Sequence, residues 1–474
     1  MYIYIYIYMD YNEMMLDSAI SDDNVEQVKK LLEQNINLNT TDSNGDTFLI
    51  NAIYKENYDI IKMLLDKNKD PKIINHKNEF GETALSIAIR RDNKDILKIL
   101  LEAKPDTNIT DEFGNTYLMI AVKRANKDIV QMLLDAKVSI DTVDKYSETA
   151  LIIAIGNGYK DIVKMLLQAK ANPYITNENG NTGLMLAVIN KDSSMVKILL
   201  EEKVDPNTVN KYNETALSLA ISQNFKYIVV LLLEANANVN YKNQYGDTLL
   251  IENVMENNES IVKLLLERGK NINIDEKNNT NQNSLLYAIQ NNNKNIVKLL
   301  LQHNANPNID AYDNMDEALL KYTPYPLYRA QDDEMGLILL KNGASPFIEN
   351  EEKRTPFMLF AKLNYEKCIE YIVTTFPIKD DDMRALNEDI YGYTALHYTL
   401  IKDEGEENFI CIRLLLDYFG FNKGKKIDEV SYYISKTKNR RIKKYLSEYY
   451  FKINPPTYKK YLKYKKKYLK LKNS

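Results

Sequence analysis

Cysteine is almost missing from this sequence of 474 residues: Cys368 and Cys411 are the only two. That is too few for a disulfide framework and fits a reducing intracellular compartment, with both side chains expected as buried thiols. Histidine is nearly as scarce. His76, His303 and His397 lie far apart, with no Cys or carboxylate at metal-ligand spacing, which argues against a zinc site. No segment approaches the roughly 20 uncharged apolar residues that cross a bilayer, so a soluble chain is expected. The phosphate loop Gly-x-x-x-x-Gly-Lys, the elbow Gly-x-Ser-x-Gly and the zinc motif His-Glu-x-x-His are all missing. Neither an enzymatic activity nor a cofactor is expected. The opening run from Met1 to Met9 alternates Tyr and Ile without a basic start or a small-residue cleavage site, so it does not read as a signal peptide. A TA repeat translated in frame gives the same run, which leaves Met1 and Met9 as candidate starts.

What is present is globular material, 45% hydrophobic and 27% charged. A chain this long divides into several domains or forms a quasi-linear array. The net charge of −4 hides an asymmetry. Residues 423–474 hold 18 Lys/Arg against 3 Asp/Glu, a surplus of 15, so the remainder stands at −19.

Self-similarity decides for the array. Thr83, Thr116, Thr149, Thr182, Thr215 and Thr248 recur at an unbroken spacing of 33. Each follows a turn, as in Gly81-Glu82-Thr83-Ala84-Leu85 and Gly246-Asp247-Thr248-Leu249-Leu250, and precedes an apolar stretch of helical period. A second stretch such as Asp95-Ile96-Leu97-Lys98-Ile99-Leu100-Leu101 then follows. Each unit reads as turn, short helix, tight turn, longer helix. Threonine suits the helix N-cap, because its hydroxyl accepts an orphan backbone N–H. Asn57, Asn93, Asn126, Asn224, Asn258 and Asn293 recur just before the second helix, where Asn tolerates left-handed φ and makes local turn hydrogen bonds. The apolar stripe of each second helix finds no cover inside its own unit, so stacking on neighbours must bury it.

The units resemble ankyrin repeats, in a variant of the opening Gly-x-Thr-Pro-Leu-His-x-Ala. Thr355-Pro356-Phe357 and Thr394-Ala395-Leu396-His397 come nearest to that form, while most units replace the proline. The resemblance implies an all-α ankyrin-repeat solenoid of helix-turn-helix units with short β-hairpin loops, followed by a basic C-terminal helical extension. It also implies protein recognition through hairpin tips and first helices, and a structural histidine at His397. The expected divisions are a leader over 1–8, a capping repeat over 9–41, regular repeats over 42–310, irregular repeats over 311–424 and the extension over 425–474. About twelve units are expected.

The third hairpin residue is aromatic at Phe80, Phe113, Tyr146, Tyr212, Tyr245 and Tyr391. These are candidate protein-binding anchors, since Tyr and Phe supply area at low entropic cost; the alternative is that each ring packs on the neighbouring hairpin as scaffold. Lys104, Lys137, Lys170 and Lys203 stand where the family places glycine after the second helix. They read as residues of a left-handed turn, favoured there by the helix dipole.

The C-terminus holds nine Lys and no acid from Lys452 onward. Lys459, Lys460, Lys463, Lys465, Lys466 and Lys467, interleaved with Tyr, make candidate anion or nucleic-acid contacts; an anionic membrane and a solubilising or docking tail are the competing readings. The tract is similar to one in proteins of giant DNA viruses of amoebae. The Asn, Lys, Ile and Tyr bias suits an AT-rich genome, including that of bacteria such as spirochaetes. The function expected is a monomeric, non-enzymatic scaffold or adaptor for a protein partner in the cytoplasm, the host's if the chain is viral. A viral adaptor presenting host proteins to a ubiquitin ligase is the alternative within that class, although residues 425–474 carry no F-box-like signature.

Overall fold

The computed structural model describes residues 11–68, 70–310, 323–377, 388–401, 408–420 and 427–453. It divides into two units, 1–238 and 239–474. Both are built from antiparallel helix pairs joined by hairpin loops.

The first unit opens with Tyr11–Ser21 and Val25–Leu32, then Phe48–Lys55 and Tyr58–Lys67. A short helix, Pro71–Ile74, occupies the insertion before Thr83. Regular pairs follow, from Ala84–Arg90 with Lys94–Glu102 to Ala216–Ser222 with Lys226–Glu234. The first helices are only seven residues long, well below the roughly 12 to 15 residues at which an isolated helix becomes marginally stable. Packing must therefore hold them, and their burial agrees: every residue from Ala84 to Ile89 is buried. The second helices bury one stripe, as at Ile96, Leu97 and Leu100, and expose the opposite face.

Local chemistry fixes the ends. Each of the six threonines is an N-cap whose hydroxyl accepts the N–H three residues on, at 3.1 to 3.4 Å. Lys104, Lys137, Lys170 and Lys203 have φ of 54°, 57°, 68° and 63°, so the left-handed turn after the second helix is real. For the recurrent asparagines the local hydrogen bonds are there, and the left-handed backbone needs correction. Asn57, Asn93, Asn126 and Asn293 are N-caps with φ near −90° whose side chains accept from the helix. Asn258 also has negative φ, and only Asn224 of the set is left-handed, at 56°. Elsewhere the left-handed residue is the one before, such as Asp92 at 58° and Asn292 at 52°.

The second unit continues with Leu249–Met255 and Glu259–Arg268, then Ser284–Gln290 and Lys294–Gln302. In the loosened region a 3-10 turn over Pro326–Arg329 precedes Asp333–Lys341. Two pairs led by Pro356–Leu363 and Ala395–Leu400 follow. Gly336 lets this stack close, because a Cβ there would stand 2.7 Å from Cys368 Sγ. Both cysteines are buried free thiols.

Beyond the expected end of the repeats near Gly424, the chain forms one more pair, Ile427–Lys436 and Arg440–Ile453. Val430, Ile442 and Leu446 are buried in it. It seats on the preceding pair through Thr437 Oγ1, which donates to Leu400 O at 3.1 Å, and Tyr449 Oη, which donates to Asp417 Oδ1 at 2.9 Å. Residues 427–453 thus cover the last repeat, and the rest of the Lys-rich tract, including Lys459, Lys460, Lys463, Lys465, Lys466 and Lys467, lies outside the described residues.

Candidate binding surface

Each hairpin is organised by its first residue. The side chains of Asn78, Asp111, Asp144, Asn177 and Asn210 accept the backbone N–H groups two and four residues on, at 2.8 to 3.1 Å. The two central residues of the loop are thereby pushed outward. Neighbouring hairpins are stitched by backbone bonds: Lys145 N donates to Phe113 O at 3.0 Å, and Asn279 N donates to Tyr245 O at 3.1 Å. The hairpins come close enough that a Cβ on Gly246 would stand 2.8 Å from Asn279 N. So Phe113 and Tyr245 use their carbonyls for the scaffold and leave their rings outside.

The rings are open to solvent. Phe80, Phe113, Tyr146 and Tyr212 of the first unit are 67%, 52%, 56% and 69% exposed, and Tyr245 and Tyr391 of the second are 64% and 60% exposed. Large rings left this open on rigid loops do little for folding. Tyr391 has a partner in Arg354, whose guanidinium stands 5.6 Å from the ring centre.

The ends of the first helices change character along the first unit. Arg90, Arg91, Lys123 and Arg124 are exposed, whereas the equivalent positions two repeats on are Gly156, Asn157, Ile189 and Asn190. Arg90 pairs with Glu82 at 3.4 Å and Asp111 at 3.9 Å, and Lys123 lies 3.8 Å from the buried Asp144. Burial, followed by the charge of Asp144, raises the Glu148 carboxyl above the usual range. Another ladder joins second helices, with Lys94 paired to Asp128, Lys127 to Asp161 and Lys160 to Asp192. Such exposed pairs contribute little to stability.

The second unit holds a non-repeating cluster. Arg354 Nε donates to Tyr398 Oη at 3.0 Å and to Asp389 Oδ2 at 3.4 Å, while Nη1 pairs with Glu352 at 2.6 Å. Burial opposes the charge of Asp389, but bonds from Tyr398, the Tyr393 and Tyr391 N–H groups and Arg354 outweigh it, so its carboxyl lies below the usual range. Beside this cluster Tyr328, Met358, Lys362 and Tyr398 line a cavity of about 230 Å³. His397 Nδ1 accepts from Thr394 N at 3.1 Å, a bond within its own repeat. Among the described residues no three His, Cys, Asp or Glu side chains are placed to hold a metal ion, and no helix is long and apolar enough to cross a membrane.

Capped helix pairs with stitched hairpins and outward loop tips, present in each unit, define a repeat protein. The chain belongs to the ankyrin repeat family, whose model for three tandem copies matches residues 16–111, 103–177, 169–243, 228–311 and 328–427. It is similar to an ankyrin repeat protein of Fowlpox virus (strain NVSL), at 39% identity over 61 residues, which is 13% of this chain and 15% of the relative. Solved structures resembling it include the ankyrin repeat domain of Bcl-3, a member of the IkappaB family, at 25% identity and TM-score 0.42, over 46% of this chain and 97% of that one. Another is the ankyrin repeat protein EF0377, at 28% identity and TM-score 0.36, over 39% and 96%.

Sequence reasoning located the repeating ring position and missed two features. Arg354 stands one residue before an expected cap, and its partners are scattered over 47 positions from Glu352 to Tyr398, with no period to betray them. The hairpin Asn or Asp was visible, recurring at 33-residue spacing from Asp111 to Asn243.

Proposed function

We propose that this chain is a non-enzymatic scaffold or adaptor that recognises a protein partner through its hairpin tips and the exposed ends of its first helices. The observation that carries the proposal is the exposure of aromatic rings at a constant hairpin position on loops whose backbones are fixed by side-chain and inter-repeat bonds. Rigid aromatic anchors lose little entropy on binding and concentrate binding energy. The alternation from Arg90 and Lys123 to Ile189 suits a partner segment with an acidic and an apolar part. We place the protein in the cytoplasm as a monomer. A viral source is supported by the Lys-Tyr tract and the fowlpox relative, and adaptor work for a ubiquitin ligase is a special case of the same reading. The Lys459 to Lys467 cluster adds a second candidate interface, for nucleic acid or an anionic membrane, on charge alone.

The test is affinity capture from the producing cell with the full chain and with a variant carrying Phe80→Ser, Phe113→Ser, Tyr146→Ser and Tyr212→Ser. A partner held by the parent and lost by the variant at unchanged melting supports the reading. Equal capture by both removes the hairpin rings from the function.

A further inference from the structure

The C-terminal helix pair does more than cover the last repeat. Between it and the hairpin and first helix of that repeat lies a groove of about 500 Å³. Its walls carry the rings of Tyr391, Tyr393 and Tyr432, which are 60%, 40% and 51% exposed, and its mouth carries Lys436 and Lys438. Among the described lining residues none is Asp or Glu; of the nearby acids, Asp389 is buried and bonded to Arg354 and Tyr398, and Glu388 Oε2 would stand 3.7 Å from a Cβ on Gly392.

The lysines begin a dense basic run. Lys436, Lys438, Arg440, Arg441, Lys443 and Lys444 are all exposed, and no acid occurs between Glu429 and Glu448. Four of these cations fall in the first turns of the helix Arg440–Ile453, where no acidic residue stands in the first turn. That is the end at which the helix dipole disfavours positive charge. Helix stability therefore does not account for the cluster.

We propose that this groove binds a single strand of nucleic acid, with bases against Tyr391, Tyr393 and Tyr432 and phosphates along Lys436, Lys438 and the exposed start of the last helix. A strand offers a flat face and a negative charge at every residue, the combination that rings beside a cation run accept. An acidic peptide offers at each position either an acid or an apolar side chain. A bilayer is flat and does not enter a concave groove. The site shares Tyr391 with the hairpin surface proposed above, but it involves none of Phe80, Phe113, Tyr146 and Tyr212 and uses none of Lys459 to Lys467.

Fluorescence anisotropy of the full chain with a labelled oligothymidylate of about 15 nucleotides tests it. Tyr391→Ala with Tyr432→Ala, both exposed and so tolerated by the fold, should weaken binding roughly thirtyfold or more with the salt slope kept. Lys436→Gln with Lys438→Gln should reduce the slope of log K against log salt by about 1.4, near 0.7 for each phosphate contact. A third variant, with Lys459, Lys460, Lys463, Lys465, Lys466 and Lys467 changed to Gln, should still bind and still respond to both groove changes. The proposal is overturned if this third variant loses all binding. It is equally overturned if the groove changes leave oligothymidylate affinity intact, or if polyglutamate or phosphatidylserine vesicles bind through Tyr391 and Tyr432 and oligothymidylate does not.

Discussion

The regular repeats over 83–302 and the later stretch over 323–453 use the same caps and differ in what joins one repeat to the next. Within each unit of the regular stretch the repeats draw on a few devices: a capping threonine, with Asn283 in its place in the last of them, an Asn or Asp in the hairpin, a left-handed residue, a stripe such as Ile96, Leu97 and Leu100. In the later stretch the junctions are individual. Phe357 packs edge-on against Phe347 at 5.9 Å and Tyr418 at 5.8 Å, Tyr418 Oη donates to Phe376 O at 2.7 Å, and Arg354 gathers Glu352, Asp389 and Tyr398. Repetition spreads stability over many equivalent sites; individual junctions concentrate it in a few side chains.

The largest effect should come from breaking register in the regular stretch. Deleting residues 144–176 removes one period and lets the flanking faces meet again, so circular dichroism should report a folded protein. Deleting half of that unit should abolish the cooperative transition. Equal melting of the two deletions would contradict the stacking of equivalent units. Next in size is Phe357→Ala, which empties a fully buried ring site shared by two other rings and should cost about 3 to 5 kcal/mol in denaturant unfolding. A loss below about 1 kcal/mol would mean that the later stretch is as forgiving as the repeats.

Smaller effects sharpen the same contrast. Replacing Lys104, Lys137, Lys170 or Lys203 by Gly should stabilise by about 1 kcal/mol each, since a Cβ is strained at positive φ. Lower melting of all four variants would show that the lysine side chains matter more than the turn. Smallest is the response to acid. Asp389 has a depressed pKa, so its share of stability is present above the usual aspartate range and is lost as pH falls through the folded value. Glu252 in the regular stretch is raised, by burial first, so its share is unfavourable near neutrality and stability is regained as pH falls toward the usual glutamate range. Near neutrality Asp389→Asn should therefore melt below the parent and Glu252→Gln above it, and both differences should shrink on acidification.

The part of the fold legible in the sequence is the part encoded locally. A threonine after a turn and a lysine after a helix announce their geometry within a few residues, and the period of 33 does the rest. The asparagines before the second helices were misread by one position, because the left-handed residue and the cap are neighbours and Asn suits both. The pair over 427–453 hid behind its Lys and Tyr content. Its own signals were present in Asn439, which caps the last helix, and in Ile442 and Leu446, four residues apart on its buried face. The groove at Tyr391, Tyr432 and Lys436 joins residues about 40 positions apart, and no pattern along the chain marks that meeting.

The left-handed turns hold 20 residues other than glycine among the described positions, nine of them Asn and six Lys. Glycine codons all begin GG, whereas Lys and Asn are spelled almost wholly in A and T. Asn tolerates such a turn, whereas each of the six Lys carries a Cβ strain that Gly would not, and the fold absorbs it repeat by repeat. In a chain this repetitive, a drift in nucleotide usage acts as a small, distributed change in conformational energy.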